Sequence, residues 1–344
     1  MKVGVIVATY NGIKFIKEQL DSILNQTYKV DEIVISDDGS SDGTFEYLSE
    51  YAKEHNDYNI SIVKNCGEHG PSKNFENAYR NSTADVLFFA DQDDTWMQDK
   101  VEVFMKAFEK HPECGCFFSD AEVTDGALNP TGKTNFDYFF PDVRELINND
   151  DIYTIINREY FVKRVRYGNV VPGMCMAVKR EVLDKTVPFD SIIIHDDIII
   201  MYSALNSQIC CINKIEAYYR QHENNSIGVI GGNKDARRNS LAGLIKNSEV
   251  NLKSVLHSYK RIKYFKSIDK KSEFPFLNEI FETEEKRYLA AKSNCVFGFF
   301  RLLKNLITKG RVQIHPIKTF LLDVSMIVFV KKKKRIEYFK KYNL

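Results

Sequence analysis

The stretch "FFADQDDTW", residues 88–96, sets three carboxylates, Asp91, Asp93 and Asp94, within four positions directly after an apolar run. Two like charges about 4 Å apart repel by roughly 4 kcal/mol at an effective dielectric near 20. A hard divalent cation, held by one or two carboxylates plus substrate phosphates, accounts for Asp91 and Asp93. Asp94 and Thr95 have a simpler use, capping the helix that Met97 to Lys110 suggests.

Three further clusters carry polar chemistry. In "SDDGSSDGT", residues 36–44, Asp, Gly and Ser are what tight turns use, and Gly39 and Gly43 are expected at unusual backbone angles. Beyond the turn, Asp38 at a strand end could accept a hydrogen bond from a nucleobase N–H or a ribose hydroxyl. In "HDDIII" the acidic pair Asp196–Asp197 suits a helix N-terminus, and a carboxylate there could equally serve as general base toward a substrate hydroxyl. "YYRQH" ends in His222. A lone histidine is usually structural, but a distant carboxylate cluster needing a cation makes this one a candidate ligand in a mixed oxygen and nitrogen site, suited to Mn²⁺ as well as Mg²⁺. No GxGxxG or GxxxxGK[ST] occurs, which excludes the dinucleotide fingerprint and the P-loop.

The elements that must position these residues alternate over the first 120 positions. "KVGVIVA", "DEIVISDD", "NISIVKN" and "DVLFFA" read as strands, with helical spacing at Ile13, Ile16, Leu20, Ile23 and Leu24 and again at Phe45, Leu48 and Ala52. Strands separated by helices imply parallel pairing, and ligand sites in such sheets lie beyond the strands' carboxyl ends. "TYNG", "SDDGSSDGT" and "DQDD" all follow strands, so three strand ends converge on one cleft. From about 121 to 168 the pattern weakens into loops or a lid. Order returns with "VVPGMCMAVKREVL", "HDDIIIMYSAL" and "EAYYRQHENNSIG". Beyond about Asp235 the chain is Lys-rich, with helical spacing at Leu241, Leu244, Ile245 and Val250 and across 277–308.

With 344 residues, 44% apolar and 28% charged, the chain has the composition of a folded protein of one large domain or two smaller ones. The net charge of +1 hides an asymmetry: residues 301–344 hold 12 Lys/Arg against 2 Asp/Glu, and the rest carries −9. A basic tail on an acidic body fits an anionic surface for the tail alone, not a nucleic-acid partner. Seven cysteines without CxxC pairs, several in apolar runs, read as reduced residues of a cytoplasmic protein. The start lacks a signal-peptide pattern, and the late apolar run Thr319 to Val330 is too short to span a bilayer.

Taken together, "VIVATYNGIKFIKEQLDSILNQTY", "DEIVISDDGSSDGT", "ADQDDTW", "VPGMCMAV", "HDD" and "YRQHENNSIG" resemble the glycosyltransferase family 2 enzymes, and most of all the bacterial rhamnosyltransferase-like branch of surface-polysaccharide biosynthesis. The resemblance covers roughly residues 1–230. It implies an α/β GT-A fold, a Rossmann-like, mostly parallel sheet flanked by helices, over 1–230, with a helical C-terminal region over 231–344. It implies that Thr9, Tyr10 and Asp38 line the base and ribose pocket, that Asp91 lies near the ribose, and that Asp93 and His222 hold Mn²⁺ or Mg²⁺. Gly173 falls in the loop beside the donor sugar, Arg220 and Gln221 beside the diphosphate, and Asp196 at the catalytic-base position. Asp197 departs from the branch, which often has an aromatic residue there. The implied reaction is an inverting transfer of rhamnose, galactose or glucose from a dTDP- or UDP-linked donor to a glycan or lipid-linked acceptor. Such acceptors place the enzyme in the cytoplasm, peripheral to the inner membrane face, where Thr319 to Val330 followed by "KKKKRIEYFKKY" would form an interfacial anchor. Two rivals stand beside it: a non-catalytic binding subunit of the same fold, and a haloacid-dehalogenase-like phosphatase, whose Asp-x-Asp-x-Thr pattern "DQDDT" also satisfies.

Overall fold

The computed structural model describes residues 1–139, 141–147, 151–164, 171–223, 225, 248–269, 273–293, 330 and 332–342. It divides into two compact units, Met1–Phe161 with Asn169–Val229, and Val162–Gly168 with Ile230–Leu344.

The first unit is built on a sheet in which β1 (Val3–Thr9) lies between β2 (Glu32–Asp37) and β4 (Val86–Asp91), with β3 (Ile60–Lys64) beyond β2. All these pairings are parallel. β2 is buried throughout, as are β1 and β4 but for one residue each, which is why their sequences run apolar instead of alternating. β3, at the edge, is half exposed. Helices α1 (Ile16–Leu24), α2 (Thr44–Glu54) and α3 (Pro71–Arg80) connect them; α1 buries Ile16, Gln19, Leu20, Ile23 and Leu24, one face at helical spacing. Register aligns the strand ends: Thr9 lies opposite Asp37, and Ala8 opposite Asp91.

The other half of the sheet is mixed. Strand β5 is Thr95–Trp96, and helix α4 (Lys100–Lys110) leads to β6 (Cys114–Thr124). β7 (Pro130–Thr134), α5 (Asn135–Phe139), β8 (Tyr153–Ile156) and α6 (Arg158–Lys163) follow, so the region read as loop or lid contains regular elements. Its strands are short and partly exposed, too brief to leave a periodic signal. A 3₁₀ turn, Gly173–Cys175, enters β9 (Met176–Lys179), which pairs antiparallel with both β4 and β6 and joins the two halves. Helices α7 (Arg180–Thr186) and α8 (His195–Asn206) precede β10 (Gln208–Arg220), which runs parallel to β6 and antiparallel to β5. The turn glycines Gly39 and Gly43 have φ of 85° and 92°, left-handed angles as expected.

The cap expected of Asp94 or Thr95 is not formed. The chain after Asp93 crosses to pair with β10, and α4 begins only at Lys100 with Asp99 before it.

The second unit contains α9 (Ser248–Ile268), α10 (Pro275–Ser293) and α11 (Lys332–Lys341). Leu252, Val255, Leu256, Tyr259, Tyr288, Ala291 and Val330 form its apolar cluster, while Val250 is exposed. Leu241, Leu244, Ile245, residues 294–308 and the run 319–329 lie outside the described residues. Among those described, no helix is long and apolar enough to cross a membrane.

Candidate active site

The acidic loop begins at the last residue of β4. His222, two residues beyond β10, brings Nε2 to 2.8 Å from Asp93 Oδ2 across 129 positions of sequence. The imidazole stacks on Phe15 with ring centroids 4.6 Å apart. Asn225 completes the turn: its Oδ1 accepts from the His222 backbone N–H, and its Nδ2 donates to Asp93 Oδ2 at 3.3 Å and to the Arg220 carbonyl at 3.0 Å.

Arg220 is 2% exposed. Its guanidinium donates to the Asp93 carbonyl at 2.7 Å, to the Gly126 carbonyl at 3.0 Å and to Glu18, and it lies over Phe15. Its backbone N–H donates to Asp94 Oδ1 at 2.9 Å. The side chain therefore braces the acidic loop from behind. Gln221 is buried beside it, its backbone N–H on the Thr124 carbonyl.

The loop after β1 is tied to the same acids by a residue that sequence reading passed over. Gln92 accepts from the Tyr10 N–H at 2.9 Å and donates to the Tyr10 carbonyl at 3.0 Å, a two-bond amide pair. Gly12 allows it, because a Cβ there would stand 2.1 Å from Gln92 Oε1. Tyr10 itself is 57% exposed at the cleft, whereas Thr9 is buried with its hydroxyl on Asp37. Asp38 lies at the end of β2 with partners on both oxygens: Asn65 at 2.7 Å and His69 at 3.0 Å on Oδ1, and the Gly70 N–H at 2.8 Å on Oδ2.

Burial and like charge act on the acids. The Asp91 carboxyl is pushed up to about 7, by burial first and then by Asp93, with Lys100 opposing. Asp94 is held well above the usual carboxylate range, chiefly by burial, then by Asp93 and Asp91. Its Oδ2 is buried with no hydrogen-bond partner among the described residues. Lys100, fully buried with its ammonium on the Met174 carbonyl, is pushed down to about 8 by burial.

Asp196 and Asp197 are both buried in the first turn of α8, with the Asp197 N–H donating to Asp196 Oδ1 at 2.7 Å. The preceding His195 fixes that turn. Its ring packs against Phe75 of α3 and Phe89 of β4, with centroids 4.5 and 5.4 Å away, and burial pushes it down to about 3, so it is neutral. A Cβ on Gly173 would come within 2.9 Å of His195 Nε2, which gives this glycine a packing role.

The donor set fits a divalent cation completed by other ligands. Asp93 and His222 offer an oxygen and a nitrogen at mutual contact, with Asp91 and Asp94 in the same loop. No cluster of three or more His, Cys, Asp or Glu able to hold a metal occurs among the described residues, so phosphate and water oxygens would supply the remainder.

Comparison with known proteins agrees with this architecture. A family model described as glycosyl transferase family 2 matches residues 4–186. An uncharacterized glycosyltransferase of Nostoc sp. (strain PCC 7120) is 28% identical over 252 residues, covering 71% of this chain and 72% of that protein. The dTDP-rhamnosyl transferase RfbG of Shigella flexneri is 28% identical over 233 residues, covering 64% of this chain and 73% of that protein. Among solved structures, S. aureus TarS 1–349 in complex with UDP shares the fold with a TM-score of 0.58 at 15% identity, covering 95% of this chain and 90% of that one. The sheet, its flanking helices and this likeness make the fold GT-A.

Proposed function

The chain belongs to glycosyl transferase family 2, and from that premise we propose that it is a metal-dependent, inverting transferase of bacterial surface-polysaccharide biosynthesis. It moves a hexose or deoxyhexose from a nucleoside diphosphate to a hydroxyl of a glycan or lipid-linked acceptor. The carrying observation is the Asp93–His222 contact at 2.8 Å, two ligand types joined at the ends of β4 and β10.

In this reading Tyr10 and Asp38 flank the nucleoside, with Asp38 held rigid by Asn65, His69 and Gly70. Asp91 lies toward the ribose, and Asp93 with His222 would hold Mn²⁺ or Mg²⁺. A divalent cation held there would supply charge stabilisation for the departing diphosphate. Asp196, or its neighbour Asp197, takes the proton from the acceptor hydroxyl as that oxygen bonds to the anomeric carbon and the bond to the diphosphate oxygen breaks, its electron pair leaving with the diphosphate. Arg220 acts through the loop it braces. RfbG, by its name a dTDP-rhamnosyl transferase, favours a dTDP-linked deoxyhexose, and TarS in complex with UDP keeps UDP as the alternative. The basic helix α11 is proposed to meet an anionic membrane face near a lipid-linked acceptor.

Thermal unfolding with UDP, dTDP or GDP, with and without Mn²⁺, tests the donor site. Ligand at about 100 times its dissociation constant adds roughly 2.7 kcal/mol. One pyrimidine diphosphate should raise the midpoint only with Mn²⁺, and Asp93→Ala should remove the shift. No shift with any nucleotide overturns the proposal.

A further inference from the structure

The loop that follows β1 is held by side chains at four consecutive backbone N–H groups. Those of Asn11, Gly12 and Ile13 donate to Ser40 Oγ at 2.8 Å, Thr44 Oγ1 at 2.9 Å and Asp42 Oδ2 at 3.2 Å, all from the stretch that joins β2 to α2. Asn11 sits at a left-handed φ of 49°, with its Oδ1 accepting from the Ser41 N–H at 2.9 Å. The fourth N–H, that of Tyr10, goes instead to Gln92 at 2.9 Å, whose amide also donates to the Tyr10 carbonyl at 3.0 Å. Gln92 stands between Asp91 and Asp93 in the chain, so the amide that fixes the Tyr10 peptide groups also fixes how far they lie from the acidic loop. Glycine at position 12 leaves room for this approach: a Cβ there would stand 2.1 Å from Gln92 Oε1 and 2.6 Å from its Cδ. Both bonds are open to solvent, where an amide hydrogen bond adds little net stability, so what the pair contributes is placement.

We propose that Gln92 is a positioning residue of the donor site, aligning the Tyr10 loop with the cation ligands so that one nucleoside diphosphate spans both. The inference rests on the reading of Tyr10 as a neighbour of the nucleoside and of Asp93 and His222 as cation ligands. Each half of the site takes its own part of the donor, and the two parts are covalently joined. The gain from joining them is an effective concentration set by how well the spacing of the halves matches the ligand, and that spacing is what the amide pair fixes. Loss of the pair leaves each half intact and removes part of the gain.

The test compares whole ligands with their fragments by NMR titration in the presence of Mg²⁺: UDP and dTDP, uridine and thymidine, and inorganic pyrophosphate. Gln92→Met keeps roughly the length of the side chain and removes both hydrogen bonds. It should weaken the tighter-binding diphosphate on the order of tenfold, while the affinities for nucleoside and pyrophosphate change by less than about twofold. Gly12→Ala, which displaces the Gln92 tip from the other side, should show the same pattern. The double variant should bind no more weakly than either single one, because both changes remove the same interaction. Unchanged diphosphate affinity in Gln92→Met, or fragments weakened as much as the diphosphate, overturns the proposal. Asp93→Ala tests the premise separately: if Mg²⁺-dependent pyrophosphate binding survives it, the cation-ligand reading fails irrespective of Gln92.

Discussion

Replacing Asp91 by Asn should stabilise the metal-free protein, and the gain should grow with pH. The carboxyl, ordinarily ionising near 3.8, is pushed up to about 7 in the folded protein by burial and by Asp93. Between those values the folded state holds a proton that the unfolded chain has released. Folding is therefore penalised progressively as pH rises from about 4 to about 7, and the penalty is constant above that. A shift of roughly three units at about 1.36 kcal/mol each sets a ceiling near 4 kcal/mol. Asp91 keeps part of its surface in water and shares its titration with Asp93, so about 2 kcal/mol is the expected size. Urea unfolding in the presence of a chelator should find Asp91→Asn about 2 kcal/mol more stable than wild type at pH 8, and by less than half of that at pH 5. Equal gains at both pH values, or a variant less stable at pH 8, would refute the electrostatic account of the loop.

Glu32 works in the opposite sense. Burial disfavours its charge, but hydrogen bonds from Lys2, Ser82 and Thr83 prevail and hold its carboxyl down at about 2. Its contribution is present above about 4.5 and lost as pH falls toward 2, so Glu32→Gln should cost about 2 kcal/mol at neutral pH, a deficit that vanishes in acid titrations followed by circular dichroism. Gly12→Ala should break the Tyr10–Gln92 amide pair and weaken nucleotide binding, on the order of tenfold by calorimetry, with a small change in the unfolding midpoint, because only the mobile tip of Gln92 must move. Removing residues 316–344 should lower partition into anionic liposomes on the order of tenfold or more, given exposed Lys333, Lys334, Lys340 and Lys341, and unchanged partition would end the membrane proposal.

The strands of the first 91 residues were legible because burial on both faces leaves continuous apolar runs, and the turn-forming glycines mark where those runs stop. That three strand ends lie side by side followed from parallel order alone, and the register bears it out. β9 was not legible as the antiparallel strand joining two half-sheets, since four residues carry no direction. Asp94 reads as a helix cap because local sequence cannot reveal that the next two residues pair with a strand more than a hundred positions away. Lys100 sits in "MQDKVEVF", where any helix-starting lysine is presumed solvated, and only tertiary contact shows it buried. Gln92 and Asn225 stood inside recognised motifs, but their hydrogen bonds are to backbone and to residues far along the chain.

The contact between Asp93 and His222 closes a loop of 129 residues. For a flexible chain of that length, bringing the ends together costs roughly 4 kcal/mol in entropy before any contact repays it. The repayment comes from β10, whose pairing with β6 and β5 carries residue 220 to the acidic loop. The contact between Asp93 and His222 therefore depends on the pairing of β10. A chain that ends before β10 lacks His222 and so would carry only one of the two proposed cation ligands. On the proposed reading, a nucleotide-dependent, cation-dependent signal would count only molecules in which β10 has paired.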